Sequence, residues 1–272
     1  MVASMVRTMA EPVSRPSDTD NIRTTVEGRV ATVVVSSPGR KNAVTPPMWG
    51  QLASVFRWLE FADDIWAVVV TGDGEDFCSG ADLAQSDDVH WLASMRFVNE
   101  AAIALHSLPQ PTIARVDGVA VGAGLSLALG CDLIVATERA RFSEIFATRG
   151  LSLDFGSSWL LPRRVGLGKA KELSLLAPII DAAEAERIGL VDKVVPVEAL
   201  DAAVAEWTDR LVSLPPIAVS QSKALLDRSS TSSLADALAA EAAAQTVNFG
   251  TRDTMEAISA FIAKREPNFR GR

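Results

Sequence analysis

The chain contains no tyrosine, two cysteines and two histidines among its 272 residues. Cys78 and Cys131 are too few for a disulfide framework, and chains without such a framework are typical of a reducing cytoplasm. The histidines and the scattered acidic residues show no metal-ligand spacing such as HxxxH or CxxC, so no metal site is expected. Without tyrosine, an active site of this chain has no phenolic acid.

Positive charge is also scarce, since 26 lysines and arginines stand against 34 acidic residues and give a net charge of −8. This balance argues against a nucleic-acid partner, whose backbone needs a basic face. A small anionic ligand needs only a few local cations. No stretch approaches the roughly 20 apolar residues of a membrane span, and the N-terminus lacks the apolar centre of a signal peptide. We therefore expect a soluble cytoplasmic protein without a membrane partner.

Apolar residues make up 48% of the chain and charged residues 22%, which is typical of a globular protein. Strand-like and helix-like segments alternate through the first part of the chain, and this alternation predicts an α/β core. Most of the remainder has helical apolar spacing. The sequence predicts a disordered leader (1–20), an α/β core (21–195) and a helical C-terminal region (196–272). Helices in such a region either cap the core or make subunit contacts.

The stretch PTIARVDGVAVGAGLSLALGCD, residues 111–132, carries the first functional signal. An apolar strand leads to Gly122, Ala123 and Gly124, and a helix-favouring segment follows. Small residues let a ligand approach the backbone closely. The free N–H groups and the positive dipole end of a helix start favour negative charge. The stretch has no reactive side chain, so the chemistry must come from elsewhere in the chain.

Several motifs in this order resemble the crotonase (enoyl-CoA hydratase/isomerase) superfamily from about Asn21 to Phe269. Besides the stretch above they are GRKNAVT, VVVTGDGEDFCSGADL, ARFSE, GLSLDFGSSWLLPRRVG, AAEAERIGLVDKVVP and AFIAKREPNF. The resemblance implies a crotonase-like spiral of ββα turns with a helical C-terminal trimerisation region. It implies a homotrimer, or a hexamer built as a dimer of trimers. It also implies an acyl-CoA thioester as substrate, with no separate cofactor.

The resemblance further implies that the thioester carbonyl lies between the backbone N–H groups of Ala81 and Ala123. Removing one donor of such an oxyanion hole raises the barrier by about 3–4 kcal/mol. Taken alone, each motif also fits an ordinary turn or a close-packed helix start. The substrate-binding candidates that accompany this pair are Ser79, Asp82, Leu83, Gly122 and Phe146. Arg40 and Lys41 are candidates for the CoA phosphates. Phe261 and Lys264 of a neighbouring subunit either hold the adenine nucleotide or serve helix packing and surface charge.

Two glutamates hold the reacting water in the hydratases of this superfamily, and this chain has Ser126 and Phe146 at the matching positions. Neither side chain can act as a carboxylate, so hydration by the two-glutamate mechanism is not expected. Glu144 precedes the second position by two residues. If the segment is helical, Glu144 points away from the site, because residues i and i+2 do not share a helix face.

Asp154, in GLSLDFGSSWLLP, is the remaining acid in a suitable place. In this motif the chain is closest to isomerases of the phenylacetyl-CoA pathway, and some superfamily members carry a catalytic aspartate here. Leu153 and Phe155 flank Asp154, and desolvation by such neighbours raises a carboxyl pKa towards that of a useful base. Alternatively, Asp154 caps the helix that starts near Gly156.

Three functions remain open at this point. The first is an enoyl-CoA isomerase, for a double bond or a ring, with Asp154 as base and Ala81 and Ala123 as oxyanion donors. The second is a hydratase or lyase that works without both glutamates. The third is a non-catalytic acyl-CoA-binding subunit. A nucleotide-dependent oxidoreductase is disfavoured, because Leu127 stands where a GxGxxG motif needs its last glycine.

Overall fold

The computed structural model describes residues 13–84 and 90–272. Its helices are α1 (Pro46–Glu60), α2 (Trp91–His106), α3 (Ala123–Leu129), α4 (Ser157–Leu176), α5 (Ala182–Arg187), α6 (Leu200–Val212), α7 (Pro216–Ser229), α8 (Leu234–Phe249) and α9 (Arg252–Ala263). Its strands are β1 (Ile22–Glu27), β2 (Val30–Val35), β3 (Ala67–Gly72), β4 (Thr112–Val116), β5 (Val119–Val121), β6 (Leu133–Thr137), β7 (Arg141–Ser143), β8 (Ile180–Asp181) and β9 (Lys193–Val195). Short 3₁₀ helices cover Ile145–Arg149 and Val197–Ala199.

The larger sheet has the strand order β1-β2-β3-β4-β6-β9. Its first pair is antiparallel, and the other neighbouring strands run parallel. Every residue of β3 is buried, as expected for a parallel strand covered on both faces. Helix α1 packs against α2, and residues of α1, α2 and α3 belong to the main apolar core. Residues of α6 pack with β3, β4 and β6 in a second apolar cluster.

A smaller sheet, in the order β5-β7-β8, gives the core its spiral form. Strand β4 of the large sheet is followed by β5 of the small sheet and then by α3. In the next turn β6 is followed by β7 and the 3₁₀ helix Ile145–Arg149. Cys78, after β3, forms an isolated parallel bridge with Ala120 in β5, so the preceding turn follows the same path. The segments that leave the small sheet in successive turns therefore lie side by side.

The C-terminal helices bury little surface within this chain. Helix α7 has no buried residue, and the structure shows one buried residue, Ala244, in α8. Large apolar side chains are exposed on α8 and α9, namely Leu234, Leu238, Val247, Phe249, Met255, Ile258, Phe261 and Ile262. Asp253 holds the chain end by accepting hydrogen bonds from the N–H groups of Arg270 and Gly271. None of the described helices is long and apolar enough to cross a membrane.

The first part of the predicted leader, residues 1–12, lies outside the described residues. The described part runs along β1, where Asp18 Oδ1 accepts a hydrogen bond of 2.8 Å from the Thr24 N–H. The Arg15 guanidinium also lies over the Trp58 ring, 5.5 Å from its centroid. The last strand of the large sheet ends at Val195, and α6 to α9 follow. The predicted boundaries of the leader, core and C-terminal region stay a prediction.

Candidate active site

The two predicted oxyanion donors follow equivalent positions in neighbouring turns of the spiral. Ala81 lies after the bridge at Cys78, and Ala123 is the first residue of α3 after β5. Val44 bonds to the residues on either side of Ala81: its N–H donates to Gly80 O, and its carbonyl accepts from Asp82 N–H. Over the described part of the chain, neither the Ala81 N–H nor the Ala123 N–H is paired with a protein acceptor.

Glycines keep these two turns close together. A Cβ placed on Gly80 would lie 3.5 Å from the Ala123 nitrogen and 3.0 Å from the Val121 carbonyl oxygen. A Cβ on Gly124 would lie 2.2 Å from the Cys78 carbonyl oxygen, a separation that no side chain tolerates. The small residues of both motifs thus serve close backbone packing, and both Ala81 and Ala123 lie in the wall of one cavity.

Most of the predicted site residues line one cavity of about 360 Å³. This volume lies in the usual range for small-molecule sites. Predicted residues in the lining are Lys41, Ser79, Ala81, Leu83, Gly122, Ala123, Phe146 and Asp154. The lining also contains residues that the sequence reasoning did not propose, namely Gly80, Val119, Val121, Ile145, Arg149 and Leu151. The walls are mainly apolar, and Asp154 is their carboxylic acid.

Asp154 projects from a strained turn before α4. Phe155 has a φ of 49° and Gly156 a φ of 84°, so two successive residues adopt left-handed backbone conformations. Phe155 is 1% exposed and packs against Trp49, with ring centroids 5.1 Å apart. This packing supports a conformation that costs a non-glycine residue of order 1 kcal/mol or more. The turn places Asp154 in the cavity lining.

The capping alternative for Asp154 is wrong. Gly156 is the N-cap residue of α4, and no side chain of the described chain caps this helix. The Asp154 backbone carbonyl accepts a hydrogen bond of 2.9 Å from the Ser157 N–H. Its Oδ1, by contrast, is buried and finds no hydrogen-bond partner among the described residues. Burial without such a partner raises the pKa of the Asp154 carboxyl from 3.8 to about 6.

The two positions that lack glutamate are apolar or internally bonded. Ser126 is fully buried in α3, and its Oγ donates a hydrogen bond of 3.2 Å to the Gly122 carbonyl. Phe146 lies in the 3₁₀ helix Ile145–Arg149 and forms part of the cavity wall. Neither residue can exchange a proton at neutral pH, which agrees with the expectation from the sequence.

Glu144 does not lie in a helix, so the helix-face argument about it was wrong. It is the N-cap residue of the 3₁₀ helix Ile145–Arg149 and follows β7 directly. Its side chain is buried and accepts a hydrogen bond of 2.6 Å from Ser157 Oγ. Glu144 is not part of the cavity lining. The negative charge of Asp154 nevertheless raises the pKa of the Glu144 carboxyl. The local sequence did not predict this hydrogen bond between Glu144 and Ser157, because Ser157 lies 13 residues further along the chain.

The remaining predicted binding residues lie at the edge of the cavity or away from it. Arg40 forms an ion pair with Asp82, and neither belongs to the cavity lining. Lys41 Nζ lies 3.4 Å from Asp76 and does line the cavity. Phe261 and Lys264 lie at the end of α9, where Phe261 is 86% exposed. Within this chain, therefore, the structure does not bring the last two to the cavity.

Known proteins resemble this chain along nearly its whole length. A family model described as enoyl-CoA hydratase/isomerase matches residues 25–272. The short-chain-enoyl-CoA hydratase of Clostridium acetobutylicum is 35% identical over 251 residues, which cover 91% of this chain and 96% of that protein. The 1,2-epoxyphenylacetyl-CoA isomerase of Escherichia coli is 34% identical over 255 residues, 91% of this chain and 97% of that protein. An enoyl-CoA hydratase structure from Bacillus anthracis superposes with a TM-score of 0.89 at 30% identity, covering 93% of this chain and 100% of that one.

Proposed function

Because the chain belongs to the enoyl-CoA hydratase/isomerase family of the crotonase superfamily, we propose that it is an acyl-CoA isomerase. The reaction moves a double bond, or rearranges a ring, beside the thioester. One observation carries this proposal: a single desolvated carboxyl, Asp154, shares a cavity with the free N–H groups of Ala81 and Ala123. The glutamates that hydration uses are replaced by Ser126 and Phe146.

The chemistry needs one base and one oxyanion site. For a 3-enoyl thioester, the Asp154 carboxylate removes a proton from C2, between the carbonyl and the double bond. The electron pair moves towards the carbonyl oxygen, and the Ala81 and Ala123 N–H groups stabilise the negative charge there. Asp154 then returns the proton to C4, which leaves the double bond between C2 and C3. A general base contributes roughly 10²- to 10⁴-fold to such a reaction.

The raised pKa of Asp154 suits both halves of this cycle. A carboxyl with a pKa of about 6 is mostly ionised at pH 7, so it is ready to accept a proton. Compared with an exposed aspartate of pKa about 3.9, it is also the stronger base. Such matching to the working pH is what general acid–base catalysis favours. Hydration asks for more, because a second group must hold and polarise the water.

We also propose how the rest of an acyl-CoA is held. Lys41 and Arg149 bring positive charge to the cavity lining, and Arg40 lies beside it, so these side chains are candidates for the CoA phosphates. No separate cofactor enters the proposed reaction. The exposed apolar surface of α8 and α9 supports assembly into a homotrimer or a dimer of trimers. In that assembly Phe261 and Lys264 of one subunit would approach the adenine nucleotide bound by another. The cytoplasmic location stays a prediction from the cysteine content.

A second candidate function is hydration by another arrangement of groups. It is favoured by the name of the Clostridium acetobutylicum relative, a short-chain-enoyl-CoA hydratase. A third candidate, acyl-CoA binding without catalysis, is favoured by the loss of carboxylates at Ser126 and Phe146. Both candidates keep the oxyanion site but give Asp154 no role as a carbon base.

Two substrates separate these candidates. A 3-enoyl-CoA and crotonyl-CoA are offered separately, and the absorbance of the conjugated thioester is followed. The isomerase forms the conjugated thioester from the first substrate. Asp154→Asn lowers kcat by roughly 10²- to 10⁴-fold with the far-UV circular dichroism unchanged. Rapid loss of crotonyl-CoA would favour the hydratase instead. Tight acyl-CoA binding without turnover of either thioester would favour the binding subunit.

A further inference from the structure

Glu144 is a buried acid that the proposed mechanism does not use. Its side chain is 1% exposed, in the segment between β7 and the 3₁₀ helix Ile145–Arg149. Oε1 accepts the hydrogen bond from Ser157 Oγ, and Oε2 is buried without a partner in the described chain. An unpaired buried carboxyl oxygen is costly, so its presence asks for a physical reason.

Ser157 connects Glu144 to Asp154. It is the first residue of α4 and is fully buried. Its N–H donates to the Asp154 carbonyl at 2.9 Å, while its Oγ donates to Glu144 at 2.6 Å. One residue therefore fixes the backbone of the first acid and the carboxyl of the second. Each acid keeps one buried oxygen, Asp154 Oδ1 and Glu144 Oε2, for which the described residues provide no donor.

We propose that Glu144 is a positioning residue for Asp154, and that the two buried carboxyls form a coupled pair in which an ionised Glu144 makes the Asp154 carboxylate a stronger base. Glu144 touches neither cavity nor substrate, so it acts through Asp154. The catalytic part of this proposal rests on the proposed function. The pairing itself does not, because it can be measured in the free protein.

The direction of the pKa shifts supports the pairing. Burial raises the pKa of Glu144, the Ser157 hydrogen bond lowers it, and the charge of Asp154 raises it, to about 7. Burial raises the pKa of Asp154 to about 6. Asp154 therefore ionises first, while Glu144 is still protonated. When Glu144 ionises, its negative charge holds a proton on Asp154 more strongly. Interacting acids of this kind share two macroscopic titration steps.

Two charged groups on the neighbouring strands have their own partners, and two cations share the cavity lining with Asp154. On β7, Arg141 donates to the backbone carbonyls of Arg139 and Ala140. On β8, Asp181 caps α5 by accepting from the Glu184 N–H. Lys41 and Arg149 line the cavity beside Asp154. Asp154 is the one charged group of the described chain that shifts the pKa of Glu144.

Carboxyl ¹³C NMR titration of the full-length protein tests the pairing without substrate. Glu144→Gln and Asp154→Asn assign the two resonances. In the native chain we expect each resonance to show two steps, near pH 6 and pH 7. Glu144→Gln, which keeps an oxygen for Ser157, leaves Asp154 with one step. Ser157→Ala removes a donor to Glu144 and moves the upper step to higher pH by about one pKa unit. Glu138→Gln, at an exposed acid near β7, is the matched control and leaves both steps in place.

The same variants test the catalytic consequence through the pH profile of kcat/KM on whichever thioester turns over. Glu144→Gln is expected to remove the inflection near pH 7, and Ser157→Ala to move it upwards. A purely structural role of Glu144 would lower the rate equally at every pH and would overturn the proposal. A Glu144 resonance that titrates in one step and does not respond to Asp154→Asn would also overturn it. Coupled titration in a protein that turns over no thioester would leave the pair standing and refute the proposed function alone.

Discussion

Replacing the proposed base should stabilise the protein near neutral pH while lowering its activity. Asp154→Asn removes a carboxyl whose folded-state pKa is raised by burial from 3.8 to about 6. At about 1.4 kcal/mol per pKa unit, this rise corresponds to roughly 3 kcal/mol of unfavourable free energy when the group is ionised. The asparagine is similar in shape and uncharged, so it avoids that cost.

The sign of the effect follows from where the proton is held. Below pH 4 the carboxyl is protonated in the folded and unfolded chains alike, so it makes no difference to stability. Between pH 4 and 6 the unfolded chain releases the proton first, and the native protein loses stability as pH rises. Above pH 6 the full cost is present. The stability of Asp154→Asn relative to the native chain should therefore rise by about 3 kcal/mol from pH 4 to pH 8.

Urea unfolding followed by tryptophan fluorescence, at several pH values, measures this difference. Constant effects of the substitution, such as an amide without partners, cancel when two pH values are compared. Asp63→Asn, at an exposed position after α1, serves as control and should show a flat difference. Above pH 7 a further gain comes from Glu144, whose pKa falls once the charge of Asp154 is gone. If the stability difference between Asp154→Asn and the native protein also did not change with pH, the Asp154 carboxyl would not be desolvated. Our reasoning about the base would then fail.

Three further predictions concern packing and assembly. Gly124→Ala should prevent soluble folding, because its Cβ would clash with the Cys78 carbonyl oxygen. Gly168 has open space around it and serves as the control. Gly168→Ala should raise the urea midpoint by the equivalent of about 0.5–1 kcal/mol. Phe155→Ala should cost about 3–5 kcal/mol in the same assay and lower the turnover that depends on the neighbouring acid. Leu234→Asp, on the exposed face of α8, should reduce the mass measured by light scattering; an unchanged mass would exclude this face from the interface.

The larger elements were predictable from the sequence. The alternation of strand-like and helix-like segments predicted an α/β core, and the apolar run from Ile65, which is typical of a buried strand, leads into β3. The predicted crotonase fold is confirmed by the superposition on the enoyl-CoA hydratase structure from Bacillus anthracis. In long helices and strands, the buried face determines where apolar residues stand. Their regular spacing can therefore be recognised in the sequence. The trimer and the region boundaries stay predictions.

The strands of the small sheet could not be predicted from the sequence in the same way. Strand β5 has three residues and β8 has two, which is too short for any apolar alternation to show. Their pairing is set by the stacking of spiral turns, a long-range property. The positions of Ala81 and Ala123 were predicted from the resemblance to a known family. Side-chain identity alone does not reveal whether the backbone N–H of a residue is hydrogen-bonded. Their functional role stays a prediction.

Glu144 shows a different limit of local reasoning. A helix-face argument needs a helix, and the chain instead passes from a strand to a 3₁₀ helix at this residue. The capping hypothesis for Asp154 failed for a related reason. Two successive left-handed residues follow it, and no side chain of the described chain caps α4. Both errors came from assuming regular backbone in a segment where the chain departs from it.

The turn around Asp154 concentrates features that oppose stability. Asp154 Oδ1 and Glu144 Oε2 are buried without partners in the described chain, and Phe155 holds a left-handed conformation. Each feature costs on the order of 1–3 kcal/mol. The packing of Phe155 on Trp49 and the hydrogen bonds of Ser157 offset part of this. A turn selected for stability alone would avoid such costs, and glycine at 155, for example, would relieve the backbone strain. The costs occur where one carboxyl lies in a cavity together with the N–H groups of Ala81 and Ala123, which have no acceptor in the described chain, and this coincidence supports our proposal that the turn serves catalysis.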